Sequence, residues 1–68
     1  MIVNHLPRLL GERRMSVSEL HRVSGVPYLS LHQLYHGRAK RADFGTLAAV
    51  CRALGIGIGD LLEYVPAA

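Results

Sequence analysis

The sequence predicts an all-α domain of five short helices, and three kinds of observation predict it. Apolar residues recur at three- and four-residue spacing instead of alternating. Helix starts carry Ser, Asp and Pro in capping positions, and helix stops carry Gly25, Gly37 and Gly55. No segment shows a strand pattern long enough for a sheet interior. A chain of 68 residues is one domain at most, taken here as residues 1–68.

Residues 1–5 read as extended, because Ile2 and Val3 are β-branched and Pro7 stands close behind. Pro7 suits the first turn of a helix, where its missing N–H is not needed. Leu6, Leu9 and Leu10 then form one apolar face, which predicts a first helix over residues 6–14. Ser16-Val17-Ser18-Glu19 is a capping box, so a second helix runs over Val17–Ser24 and stops at Gly25. Only Val26 and Pro27 separate that stop from a third helix over residues 27–36. Its apolar face holds Leu31, Leu34 and Tyr35, and Gly37 ends it. Residues 37–42 form a basic loop. Asp43 caps a fourth helix whose stripe is Phe44, Leu47, Val50, Cys51 and Leu54, and which Gly55 ends. A Gly-rich link leads to a brief last turn over residues 60–63, and residues 64–66 are extended again. Ile2-Val3 and Tyr64-Val65 can pair as a two-stranded ladder, which requires packing beneath it or a partner subunit.

Half the residues are apolar, more than so small a core holds, so a second copy is expected to cover part of that surface. The formal charge is +3, and the excess is local. No Asp or Glu lies between Glu19 and Asp43, while Arg22, Arg38, Lys40 and Arg41 fall in that interval. A phosphate-facing surface needs such a local excess, although a charge run can also be merely solvated. The lone Cys51 excludes an intrachain disulfide and fits a reducing cytoplasm. No apolar run approaches the ~20 residues of a membrane span. The N-terminus lacks the pattern of a signal peptide, and the sequence shows no internal repeat.

SVSELHRVSG and VPYLSLHQLYHG form two short helices joined by a tight Gly-containing turn, a helix-turn-helix over residues 17–36. In that motif one helix crosses the DNA backbone while the next enters the major groove, where all four base pairs are distinguishable. On Glu19-Leu20, Gly25-Val26, Leu31, Leu34 and Gly37 the chain resembles the Xre-type family of phage repressor and Cro helix-turn-helix proteins. The resemblance continues through KRADFGTLAAVCRALG into GDLLEYVP. It implies a five-helix fold like that of lambda repressor, binding to duplex DNA as a transcription regulator, and homodimers.

The resemblance also implies site residues. On the outward face of the third helix, Tyr28, Leu29, His32 and Gln33 would face base edges. Gln33 suits a bidentate pair with adenine, and Leu29 suits apolar contact with a thymine methyl. Tyr35, His36, Arg38, Lys40 and Arg41 would hold phosphates, which position the domain without reading sequence. For Tyr35 a mixed role is expected, with its ring packed and its hydroxyl outside. Three features depart from the family pattern. Val17 stands where many members carry a phosphate-bonding Gln, and His21 stands where a small residue, usually Ala, lets the second and third helices approach. Pro27 and Leu29 replace polar residues common at the start of the third helix.

Other readings compete at single positions. His32 and His36 lie one helical turn apart, but two ligands fall short of the four of a structural zinc site, so no metal is expected. The better account puts His32 on the groove face and His36 at a helix C-terminus, where the dipole favours a cation. His21 is either a pH switch, if partly buried, or a ring swung to the edge of the contact between the second and third helices. Cys51 is read as a small hydrophobe. Gly55, Gly57 and Gly59 follow a helix and precede a single turn, which excludes a dinucleotide fingerprint. No paired carboxylates and no nucleophile with a base and an orienting group point to an enzyme, and no cofactor or small-molecule ligand is implied. The remaining alternative is a protein-interaction module on the same fold, with Val17, Val23 and Leu29 as its apolar patch.

Overall fold

The computed structural model describes residues 1–66. The elements run β1 (Ile2–Asn4), α1 (Leu6–Glu12), α2 (Val17–Ser24), α3 (Tyr28–Tyr35), α4 (Phe44–Leu54), α5 (Ile58–Leu61) and β2 (Leu62–Tyr64). Five helices and one small two-stranded sheet match the predicted class. The second and fourth helices keep the bounds that their capping residues predict. Ser16 Oγ accepts from the Glu19 N–H at 3.1 Å, and Glu19 Oε1 accepts from the Ser16 N–H at 3.2 Å. Ser16→Ala is expected to cost about 1 kcal/mol, because two helix-end donors lose their reciprocal partners. A urea melt checks this, as a lowered midpoint with unchanged slope.

The first helix is shorter than expected. It ends at Glu12, and Arg14 adopts φ +50°, the one left-handed non-glycine among the described residues. The Met15 N–H donates to the Leu10 carbonyl at 2.9 Å and the Arg14 N–H to that of Gly11 at 3.2 Å. This closure satisfies carbonyls the helix leaves open. α3 and α4 end the same way around Gly37 and Gly55, at φ +68° and +67°, where glycine carries no penalty for that backbone. The Arg13 guanidinium then reaches across to the Leu54 carbonyl at 3.1 Å, tying the ends of α1 and α4 together.

The last helix begins earlier than expected. Asp60 is not its first residue; its carboxylate lies one turn in and accepts from the Gly57 N–H at 3.0 Å. That placement frees residues 62 and 63 for the strand. β1 and β2 pair antiparallel with Ile2 opposite Tyr64, Val3 opposite Glu63 and Asn4 opposite Leu62. Met1 and Val65 extend the ladder by two backbone bonds of 2.7 and 2.8 Å. His5 Nε2 meets Glu63 Oε1 at 2.8 Å beside it.

The core beneath is made of Leu6, Leu9, Leu10, Leu20, Val26, Leu31, Leu34, Val50, Leu54 and Leu61, so every helix contributes. Each buried side chain of this kind contributes roughly 1.5–3 kcal/mol relative to exposure. Among the described residues no buried polar side-chain atom lacks a partner. Phe44 corrects the expected stripe of the fourth helix: it lies 88% exposed, while Val50 and Leu54 are buried and Leu47 and Cys51 half-buried. The helical period sets the face correctly, but the first turn of α4 runs past the edge of the core.

Candidate nucleic-acid interface

α2 and α3 are joined by three residues whose geometry is fixed at several points. Gly25 takes φ +75° at the end of α2. Val26 is buried beneath the turn, and its N–H donates to Ser24 Oγ at 3.2 Å. Pro27, at φ −54° and ψ 138°, sets the extended entry into α3, and its carbonyl accepts from the Leu31 N–H. His21 adds a bond that the sequence did not announce: Nδ1 donates to the Val26 carbonyl at 2.6 Å. The imidazole therefore sits at the edge of the two helices, as one of the two expectations had it, and buttresses the turn. A small residue at this position would lack that bond.

Leu31 and Leu34 bury the inner face of α3, which leaves two rows outside. One row is Tyr28, His32 and His36, at one-turn spacing. Their ring centroids lie 5.9 Å apart for the first pair and 4.4 Å for the second. His21 prolongs the row from α2, edge-on to Tyr28 at 6.3 Å. The other row is Leu29, 66% exposed, and Gln33. Tyr35 is half-buried with its side chain packed against the core, and its ring stands edge-on to His36 at 5.0 Å. Tyr28, Leu29, His32 and Gln33 thus share the outer side of one helix, with His32 the least exposed of the four.

The basic loop is fastened to the end of this helix. The Gln33 carbonyl accepts from the Arg38 N–H at 2.8 Å and the Ala39 N–H at 3.2 Å, and Ala39 packs on the core. Arg38, Lys40 and Arg41 remain exposed. Arg41 and Gln33 line one depression of about 230 Å³ between α3 and the start of α4, together with Ser30 and Thr46. Asp43 lies at its edge as the cap of α4. The Thr46 hydroxyl at 2.6 Å, and then the Thr46 N–H, hold its carboxyl below the usual carboxylate range. The acid is thereby ionised and engaged with its own helix.

The apolar patch of the interaction-module alternative does not form as expected. Val17 is half-buried against the core, and only Val23 and Leu29 of the three are exposed. Among the described residues no three His, Cys, Asp or Glu side chains converge on a metal site. No helix among them is long and apolar enough to cross a membrane.

Residues 5–67 match the Cro/C1-type HTH DNA-binding domain family. The chain is also similar to an uncharacterized HTH-type transcriptional regulator, YozG, of Bacillus subtilis (strain 168). The two are 40% identical over 63 residues, which covers 93% of this chain and 75% of that protein.

Proposed function

The chain belongs to the Cro/C1-type helix-turn-helix DNA-binding family, and from that membership we propose that it is a transcriptional repressor that binds one operator sequence as a homodimer. DNA-binding regulation is the common ground of the family and of the similar regulator. The observation that supports sequence reading is the outer side of α3. There Gln33 and Leu29 form one row and Tyr28 and His32 the other, directly above a loop with three exposed cations. Gln33 is assigned to an adenine edge, Leu29 to a thymine methyl, and Tyr28 and His32 to neighbouring bases. Tyr35, His36, Arg38, Lys40 and Arg41 are assigned to phosphates on either side of the groove.

Two such domains related by a two-fold axis would place their α3 helices one DNA turn apart, ~34 Å along the duplex. Repression needs only occupancy of the operator, and residues 1–68 are assigned to one domain that supplies it. The setting is the cytoplasm, where lone Cys51 stays reduced. The role needs no enzymatic step, metal, cofactor or small-molecule ligand.

Selection from a pool of random duplexes, repeated at two salt concentrations, tests this. A palindrome and a steep salt dependence are expected. No enrichment with a flat salt response would replace the proposal by the protein-interaction module. Gln33→Ala is expected to relax the preference at one position per half-site by about 1–3 kcal/mol, leaving affinity for random DNA unchanged. An equal loss on selected and random duplexes would remove Gln33 from the reading of bases.

A further inference from the structure

The four histidines divide into two pairs with different surroundings. His5 Nε2 meets Glu63 Oε1 at 2.8 Å, and His21 Nδ1 bonds the Val26 carbonyl at 2.6 Å, so other segments hold both rings. Among the described residues the imidazoles of His32 and His36 enter no hydrogen bond and no ion pair. They stand one turn apart on the outer side of α3, where the His36 N–H donates to the His32 carbonyl at 3.0 Å. Their ring centroids lie 4.4 Å apart with the planes inclined by 53°, so the pair opens as a wedge instead of stacking flat.

On the basis of the DNA binding argued above, we propose that His32 and His36 bind a divalent transition-metal ion of the zinc class, and that phosphate oxygens of the bound duplex complete its coordination. Imidazole is a ligand that suits zinc, copper and nickel. With zinc–nitrogen bonds of about 2.0–2.1 Å, two imidazoles on one ion hold their ring centres on the order of 5 Å apart, close to the separation found here. The helical repeat fixes that spacing, since residues four apart share a face. His36 caps the C-terminal end of α3, where the helix dipole favours a cation. This is an open site of two nitrogens, unlike the four-ligand structural site that the sequence argues against. No third His, Cys, Asp or Glu converges on it among the described residues. No acid lies between Glu19 and Asp43, and the exposed Arg38, Lys40 and Arg41 follow directly in the loop. On the free chain a dication therefore meets repulsive surroundings and completes its shell with water. Phosphates reverse both conditions, because they neutralise the loop and supply anionic oxygens. Metal and duplex thus raise each other's affinity by the same factor. Phosphates carry no sequence, so the gain extends to every duplex. Repression itself does not require the ion, which instead makes operator occupancy responsive to metal supply.

Fluorescence anisotropy of the whole chain on a random-sequence duplex, with and without micromolar Zn²⁺, tests the proposal. Zn²⁺ is expected to tighten binding roughly tenfold, within the ordinary span of such coupling. Mg²⁺ at the same concentration, which prefers oxygen ligands, should leave affinity unchanged. His32→Gln and His36→Gln should each abolish the gain, with circular dichroism verifying the fold of both. Each of these residues is assigned to DNA, so the quantity compared is the ratio of affinities with and without Zn²⁺ within one variant. His5→Gln should keep the gain, because His5 is engaged beside the ladder. A duplex bound equally well with and without Zn²⁺ would overturn the metal site and leave the DNA-binding reading standing. A gain that survives in both α3 variants would place the ion elsewhere and overturn the site as well. A chain that binds no duplex under any of these conditions would overturn the DNA-binding reading and the bridge with it.

Discussion

Leu31→Ala is expected to leave much of the population unfolded at room temperature. Leu31 is completely buried on the inner face of α3. Truncating such a leucine costs roughly 2–5 kcal/mol, from lost transfer free energy and from the cavity left behind. A single core of this size rarely supplies more than ~3–5 kcal/mol in total, so one side chain removes most of the margin. Far-ultraviolet circular dichroism through a urea titration measures the loss. Leu29→Ala is the internal control: two residues away on the same helix it faces outward, and its melt should superimpose on that of the wild type. If the two alanine variants melted alike, α3 would not be held by its inner face. The outward orientation of Gln33 would then lack its physical basis.

Simultaneous replacement of Arg38, Lys40 and Arg41 by alanine is expected to weaken binding to every duplex, whatever its sequence. The formal charge falls from +3 to zero, with five Lys and Arg left against five acids. Three phosphate contacts at about 1 kcal/mol each correspond to a loss of roughly 100-fold at low salt. The dependence of log affinity on log salt should flatten by about 3, since each neutralised phosphate contributes a slope near 0.9. Folding should be spared, because the loop is held by its backbone: the amides of residues 38 and 39 still reach the Gln33 carbonyl after substitution. Fluorescence anisotropy at several salt concentrations decides the matter. A variant with the slope of the wild type would show that these cations face solvent alone.

What the sequence disclosed and what it withheld divide along a physical line. Features fixed by neighbours in the chain were readable. Ser16 with Glu19, Asp43 as a cap, and the glycines at 25 and 55 act within one helical turn, and α2 and α4 begin and end where those residues say. The end of α1 was not readable, because the left-handed position there is filled by Arg14 and carries no glycine to mark it. The start of α5 was hidden among three glycines, and Asp60, expected as the first residue of that turn, instead accepts from the Gly57 N–H that precedes it. Phe44 marks a different limit, since periodicity assigns a side chain to a face but not to a depth along the helix. For the interface, the outward rows of α3 followed from its spacing. The His21 bond to the Val26 carbonyl depends on how two helices cross, and only the folded arrangement brings those atoms together.

The pairing of β1 with β2 turns the chain into a nearly closed ring. Met1 and Val65 are joined at 2.7 Å although 64 positions separate them, and all five helices lie within that one loop. Closing so long a loop costs entropy that a ladder of three residue pairs cannot offset unaided. The contacts between α2 and α3 close far shorter loops and stand on their own apolar side chains. The clasp is therefore stable only on the core that the helices build, and it fastens the two ends of that core to each other.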